Sequence, residues 1–155
     1  MKVAVITVSD RASAGVYEDR SGPEIIRVLV EALPGIETSL SVVPDEADRL
    51  LAALHAQAAS DWIITTGGTG IGPRDITPEA TGAFIERDLP GIAEALRAAS
   101  LAETPFAMFS RGRAGQRGHC LVVNFPGSPR AVRLCTKLLL PLLEHGPAMV
   151  HGEGH

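Results

Sequence analysis

The fold of this 155-residue chain can be inferred outward from residues 62–80, which read WIITTGGTGIGPRDITPEA. The stretch begins with an apolar segment typical of a buried strand, continues through a glycine-rich turn, and ends with a Thr-Pro-Glu sequence typical of a helix start. A turn of this kind exposes backbone N–H groups beside a helix N-terminus, and such groups bind phosphate. The acid within the turn, Asp75, is positioned to hold a divalent cation that bridges the phosphate.

Apolar segments and amphipathic segments alternate along the rest of the chain. We predict strands at residues 3–8, 36–43, 61–66 and 119–125, and helices at residues 21–33, 47–59, 77–88, 92–102 and from 129, with a bend or an end at Pro141. The Arg- and Gly-rich segment 106–118 has no clear pattern. Alternating strands and helices indicate an α/β fold with a mostly parallel sheet covered by helices on both faces.

Length and composition narrow the possible classes of protein. A chain of 155 residues suits one domain, which we place at residues 1–145, followed by a flexible C-terminal tail at 146–155. The tail region contains His145, His151 and His155, whose spacing suits a metal site only loosely, so a disordered tail is the preferred interpretation.

Net charge, hydropathy and cysteine placement indicate which partners and which cellular location to expect. The net charge of −4 argues against a non-specific nucleic-acid binder, which would carry a basic surface. No apolar run is long enough for a membrane span or a signal peptide, so we expect no membrane contact and a cytoplasmic location. Cys120 and Cys135 lie in apolar segments, which predicts buried, reduced thiols.

Four polar segments each follow a predicted strand directly, namely residues 9–10, 44–46, 66–75 and 124–129. Ligands of open α/β sheets bind beyond the carboxyl ends of the strands, so these segments should form one polar site. A Walker A loop is excluded because neither lysine lies in a Gly-Lys-Ser/Thr sequence, and a dinucleotide fingerprint is excluded because its third glycine is missing. Without a loop lysine, phosphate charge must be offset by backbone N–H groups, arginine and a metal ion, which makes Asp45 and Asp75 candidate Mg²⁺ ligands.

These motifs resemble the MogA/MoaB family of molybdenum cofactor biosynthesis, which includes gephyrin and the plant G domains. The resemblance rests on residues 65–70 (TTGGTG), 74–80 (RDITPEA) and 124–129 (NFPGSP), and it extends to residues 8–17, 44–46 and 89–97. It implies a three-layer α/β/α molybdopterin-binding fold and usually a homotrimer. For the MogA branch it implies a molybdopterin adenylyltransferase, which transfers AMP from ATP to the molybdopterin phosphate and releases pyrophosphate. The product would then pass to a molybdate-inserting partner.

The resemblance and the motif placement together indicate the site residues. Asp45 and Asp75 are the expected catalytic residues and Mg²⁺ ligands. Nucleotide binding is expected from Thr66, Gly67, Gly68, Thr69 and Gly70. Pterin binding is expected from Ser9, Asp10, Ser110, Arg111, Asn124, Pro126, Gly127 and Ser128.

Several of these residues have a structural alternative. Asp75 could cap the helix at Thr77 or brace the glycine turn. Asp45 could cap the following helix, and Asn124 could satisfy a turn backbone. The arginines of residues 111–117 could simply be solvated. At the level of function, a MoaB-like carrier or scaffold would bind molybdopterin without transferase activity. An unrelated oxidoreductase of flavodoxin-like layout is a third possibility, which a bound flavin would reveal.

Overall fold

The computed structural model describes residues 1–153, and its centre is a sheet of six strands with helices on both faces. The strands are β1 (Lys2–Val8), β2 (Glu37–Val43), β3 (Trp62–Thr66), β4 (Arg87–Asp88), β5 (Ala114–Arg117) and β6 (Cys120–Phe125). The helices are α1 (Asp10–Ser13), α2 (Ser21–Ala32), α3 (Ala47–Ala56), α4 (Thr77–Phe84), α5 (Pro90–Leu101) and α6 (Pro129–Val150), with a 3₁₀ helix at Pro105–Phe109. The predicted three-layer α/β fold is thereby confirmed.

The strand order is β2-β1-β3-β6-β5-β4, in which the first four strands are parallel. The two remaining strands, β5 and β4, pair antiparallel at one edge, and neither was predicted. Strand β5 lies within the unassigned segment 106–118, and its sequence AGQR contains none of the β-branched or aromatic residues that favour strands. Pairing with β6, rather than local propensity, makes this segment extended.

Residues of the parallel strands alternate between two hydrophobic cores. Val5 and Ile64 face α2, α5 and α6, whereas their neighbours Ile6 and Ile63 face α3 and α4. Because both faces of β1, β3 and β6 are covered, these strands are buried along nearly their whole length, whereas the edge strand β2 is partly exposed and more polar. The chain passes from β1 to α2 on one face of the sheet and from β3 to α4 on the other face. This divergence opens a crevice between the carboxyl ends of these neighbouring strands.

Helix α6 continues through Pro141 and Pro147 to Val150, so it does not end at Pro141, which was one of the two predicted outcomes there. Pro147 has no N–H to donate to the carbonyl of Leu143, and that free oxygen accepts the indole N–H of Trp62 at 3.1 Å. Residues 146–150, which we expected within the flexible tail, are therefore helical and held against the sheet. His151 follows the helix and stacks on His119, whereas His155 lies outside the described residues.

Two predictions about burial and membranes can be compared with the structure. Cys120 and Cys135 are buried free thiols, and burial raises their pKa values to about 12 and about 11. Within residues 1–153, no helix combines the length and the apolar character that a membrane crossing requires.

Candidate active site

The structure brings the four polar loops together at the carboxyl ends of the parallel strands, as predicted. The loops after β1 and β2 are joined by hydrogen bonds between Asp10 and Asp45. The loop after β3 contacts the loop after β6 so closely that a Cβ at Gly127 would lie 3.3 Å from the Cα of Gly67. The site therefore consists of backbone from one turn flanked by side chains from its neighbours.

Glycine is required at the first two positions of this turn. Gly67 has a φ of +95°, and a Cβ there would lie 2.4 Å from the carbonyl oxygen of Val8. Gly68 has a φ of +62°, and its Cβ would lie 2.5 Å from the hydroxyl of Thr77. Side chains rarely adopt such backbone angles, so both glycines allow the turn to pack directly against β1 and α4.

The glycine turn exposes a row of unpaired backbone N–H groups. Among the described residues, the N–H groups of residues 68–71 have no acceptor. By contrast, the N–H of Gly67 donates to the carbonyl of Phe125 at 3.2 Å, and the hydroxyl of Thr66 donates to the carbonyl of Pro126 at 2.7 Å. Thr66 and Gly67, both predicted to bind nucleotide, thus join β3 to the loop after β6, while residues 68–71 offer an anion site.

Both predicted metal ligands lie along this turn. Asp75 accepts the N–H of Gly72 at 2.7 Å through Oδ2, and Asp45 accepts the N–H of Asp10 at 2.7 Å through its own Oδ2. In each carboxylate the other oxygen has no donor within residues 1–153. Asp75 therefore braces the turn, as its structural alternative proposed, and still has an oxygen to offer. Asp45 makes no cap hydrogen bond to α3, so its own structural alternative is wrong.

The electrostatics of the neighbouring acids differ. Burial raises the pKa of the Asp45 carboxyl above its ordinary value, and the negative charges of Asp10 and Asp75 add to this effect. The Asp10 carboxyl has a lowered pKa because Arg74 binds both of its oxygens, at 2.9 and 2.8 Å. Arg74 thus binds the Asp10 carboxylate directly, whereas at Asp45 its charge offsets the raised pKa only in part, and a bound cation would lower that pKa further.

Two residues predicted to bind pterin are engaged within the protein. Asn124 is buried, donates to the hydroxyls of Thr65 and Thr81 at 2.9 and 2.8 Å, and accepts the N–H of Arg113 at 3.0 Å. Both of its donors are therefore occupied, which is the structural alternative for this residue. Arg111 reaches the glycine turn with its guanidinium, which donates to carbonyl oxygens there.

Most of the other residues predicted to bind nucleotide or pterin line one of two cavities beside the glycine turn. The larger cavity, of about 240 Å³, is lined by Ser110, Asn124, Pro126 and Ser128 together with Thr69 and Gly70. The smaller cavity, of about 150 Å³, is lined by Ser9, Thr66, Gly67 and Gly127 together with Asp19 and Arg20. Asp10 lines neither of these cavities and instead supports Asp45.

Much of the larger cavity comes from residues that the sequence did not single out. Its apolar walls include Leu96 of α5, Phe106 and Phe109 of the 3₁₀ helix, and Cys135 of α6. Apolar residues of this kind look like ordinary core residues in a sequence. Only their placement beside the glycine turn identifies them as cavity lining.

The chain matches the model of a family described as a probable molybdopterin binding domain over residues 4–145. It belongs to this family. The match covers all four loops of the site and confirms the resemblance inferred from the motifs. Family membership also accounts for the polar, phosphate-compatible character of the cleft.

Known relatives agree with this assignment. The chain is 40% identical to the molybdopterin adenylyltransferase of Helicobacter pylori strain J99, across 97% of this chain and 88% of that protein. It is 36% identical to the molybdopterin adenylyltransferase of Escherichia coli K12, across 86% of this chain and 70% of that protein. The solved structure of the molybdopterin biosynthesis enzyme MoaB from Thermus thermophilus is 41% identical, with a TM-score of 0.88 over 97% of this chain and 96% of that one.

Proposed function

We propose that this family member is a molybdopterin adenylyltransferase, which transfers AMP from ATP to the phosphate of molybdopterin and releases pyrophosphate. Relatives with that activity in their names align with most of the chain and support this function. The single structural observation that supports it is the row of free N–H groups at residues 68–71 between the carboxylates of Asp45 and Asp75. A polyphosphate needs both kinds of partner, donors for its oxygens and acids for its cation.

The reaction needs positioning more than proton transfer. An oxygen of the molybdopterin phosphate attacks the α-phosphorus of ATP, and the bond from that phosphorus to the bridging oxygen breaks, so pyrophosphate leaves with the electron pair. A phosphate monoester has a second pKa of about 6 and is largely dianionic at neutral pH, so no general base is required. The role of the protein is to align the two phosphates and to offset their charge. Residues 68–71 serve this role through their N–H groups.

The residues present fit a magnesium ion. Mg²⁺ is usually held by one or two carboxylates together with substrate phosphates and water, and Asp45 and Asp75 each have one oxygen without a donor in the described part of the chain. Within residues 1–153, no group of three or more His, Cys, Asp or Glu side chains is placed to hold a metal ion by itself, so the proposed cation would be shared with the substrate phosphates. Bound there, Mg²⁺ would neutralise phosphate charge.

The two cavities give each substrate a place beside the turn. We assign the pterin to the larger cavity, where the hydroxyls of Ser110 and Ser128 lie among apolar walls that suit a flat ring. Thr69 and Gly70 of the turn line this larger cavity, so phosphates bound at residues 68–71 would lie beside the pterin. Ser9, Asp10, Arg111 and Asn124, also predicted for the pterin, have supporting contacts within the protein.

Substituting Asp75→Asn tests the proposal. Asparagine keeps an oxygen that can accept the N–H of Gly72 but removes the negative charge, so we expect loss of adenylyl transfer with the fold and molybdopterin binding intact. Asp48→Asn, an exposed position in the first turn of α3, is the matched control and should leave turnover unchanged. Pyrophosphate release from Mg²⁺, ATP and molybdopterin is the measurement.

Normal turnover by Asp75→Asn would overturn the proposed metal-binding role of this acid but not the transferase activity. Two other outcomes would overturn the function itself. Molybdopterin binding by the unmodified protein without pyrophosphate release would identify a carrier or scaffold. A flavin spectrum after purification would favour the oxidoreductase alternative.

We further propose, from the family resemblance, a homotrimer in the cytoplasm that passes adenylyl-molybdopterin to a molybdate-inserting partner. Light scattering should then give three times the mass of one chain. A monomer in dilute solution would contradict the trimer without affecting the proposed chemistry.

A further inference from the structure

Arg111 lies beneath the glycine turn, and its contacts differ from those of a residue that binds substrate directly. We infer that Arg111, held by Glu79, is a positioning residue that orients the peptide groups of the turn so that their N–H groups face the nucleotide phosphates. This inference rests on the proposed function, because it assigns a task within the same site. It replaces the direct contact with pterin that was expected of Arg111.

Arg111 is bound to three carbonyl oxygens of the turn. Its backbone N–H donates to Thr69 at 2.9 Å, its Nε to Gly70 at 2.7 Å and its Nη2 to Asp75 at 2.7 Å. One residue thus contacts the turn at both ends. The turn contains four glycines between residues 67 and 72, so its peptide groups would otherwise rotate with little steric restriction.

These contacts determine where the N–H groups point. The peptide bonds of the turn are trans, and in a trans peptide the N–H points away from the carbonyl of the same unit. Carbonyls directed at Arg111 therefore turn the N–H groups of Gly70, Ile71 and Ile76 to the opposite side. None of these three groups has an acceptor in the described part of the chain, which is the arrangement an anion site requires.

Glu79 holds the guanidinium in this position. Its carboxylate accepts from both Nη1 and Nη2 of Arg111, and the arginine in turn lowers the pKa of the Glu79 carboxyl. With Nε, Nη1 and Nη2 all occupied, only one of the five N–H donors of Arg111 is left without an acceptor within residues 1–153. The flanking residues Ser110 and Gly112 line the larger cavity, but Arg111 does not.

Arginine is needed for this task because its planar fork reaches several acceptors at once, which a lysine ammonium at the same position does not reproduce. Replacing it should therefore disturb the phosphate site more than the pterin cavity, which shares only Thr69 and Gly70 with the turn and takes its apolar walls from α5, the 3₁₀ helix and α6. This separation makes the inference testable, since a direct pterin contact would have the opposite effect.

The experiment compares Arg111→Lys, Arg111→Gln and Glu79→Gln with the unmodified protein. For each protein, calorimetry gives the affinity for ATP with Mg²⁺ and for molybdopterin, and steady-state kinetics gives kcat and both KM values. We expect Arg111→Lys to raise the Kd and KM for ATP about tenfold or more, with a much smaller change in the affinity for molybdopterin. Glu79→Gln keeps one oxygen that can accept from Arg111, so it should raise the KM for ATP by a smaller factor than Arg111→Lys does. Arg27→Lys, at an exposed arginine that pairs with Glu24 and Glu31, is the control and should change neither affinity.

The results distinguish the possible roles. Weaker molybdopterin binding with unchanged ATP binding would place Arg111 on the pterin and overturn the inference. Equal loss of both affinities, together with a lower melting temperature, would reduce Arg111 to a purely structural residue and also overturn it. Should Arg111→Gln fail to fold, Arg111→Lys and Glu79→Gln still provide the comparison. If the unmodified protein binds ATP but transfers no AMP, the proposed function fails, while the ATP affinities still test the inference.

Discussion

Asp10 and Asp45 hold each other by reciprocal hydrogen bonds: the backbone N–H of Asp10 donates to the Asp45 carboxylate at 2.7 Å, and the N–H of Asp45 donates to the Asp10 carboxylate at 2.9 Å. This pairing locks the loop after β1 to the loop after β2. Arg74, from the glycine turn, binds both oxygens of Asp10 and adds a third loop. The position of the Asp45 carboxylate therefore depends on a residue that lines neither of the two cavities beside the turn.

Substituting Asp10→Asn should reduce catalysis without unfolding the protein. The amide oxygen can still accept the N–H of Asp45. The NH₂ group, however, would face the N–H donors of Arg74, so the two hydrogen bonds from Arg74 to residue 10 would not both form. Because the Asp10–Arg74 pair is solvent-exposed, we expect little change in melting temperature. We expect kcat/KM for ATP to fall about tenfold, as for loss of a positioning contact. Unchanged kcat/KM would show that the contact between Arg74 and Asp10 is not needed for catalysis.

The raised pKa of Asp45 predicts an acidic limb in the pH profile. A cation binds the ionised carboxylate, so kcat/KM for ATP with Mg²⁺ should rise as the pH passes the elevated pKa of this group. The raised pKa of Asp45 affects folding stability in the opposite direction. The folded state binds the Asp45 proton more tightly than the unfolded state, so the contribution of this group to stability declines as the pH rises from the unfolded-state pKa through the folded-state pKa.

NMR titration of the Asp45 carboxyl checks the pH prediction directly. The midpoint should lie above the ordinary aspartate value, and Asp75→Asn should lower it because one negative charge is removed. A midpoint at or below the ordinary value in the ligand-free protein would contradict the prediction.

A substitution at Gly70 should displace the Asp75 side chain while residue 75 itself remains an aspartate. Its φ is negative, and a Cβ at this position would meet only the Asp75 carboxylate, with Oδ2 at 2.9 Å. Gly70→Ala should therefore lower kcat while the melting temperature stays close to that of the unmodified protein. Gly91→Ala in α5 is the matched control, since a Cβ there has open space around it. Equal kcat for both variants and the unmodified protein would mean that small movements of Asp75 are tolerated.

The sequence predicted those parts of the molecule that local chemistry determines. Apolar runs identified the four parallel strands, and glycine and proline marked the loops at their ends. The meeting of Asp45 with the glycine turn at one edge followed from the parallel direction of these strands. The rest depends on partners distant in sequence. Pro147 is tolerated in α6 because its missing N–H leaves a carbonyl for Trp62, and the role of Arg111 depends on carbonyls some 40 residues away. Residue type alone does not show such pairings.

Stability in acid should depend on Glu24, which joins two helices. This side chain in α2 accepts from Arg27 of the same helix and from Arg133 of α6, and both arginines lower its pKa to about 2. A carboxyl with a lowered folded-state pKa stabilises the protein above its unfolded-state pKa, and the contribution disappears as pH falls toward the folded-state value. Glu24→Gln should therefore lower the free energy of unfolding by about 1 kcal/mol at neutral pH, since its partners are half exposed.

Urea denaturation at several pH values tests the role of Glu24. The difference between Glu24→Gln and the unmodified protein should be constant near neutrality and shrink as the pH falls from the ordinary glutamate range toward about 2. Glu31→Gln is the control, because Glu31 is exposed and pairs, within residues 1–153, with Arg27 of its own helix alone. This substitution should therefore lower the free energy of unfolding less. A difference that persists unchanged in acid would mean that Glu24 stabilises the α2–α6 contact by packing rather than by charge.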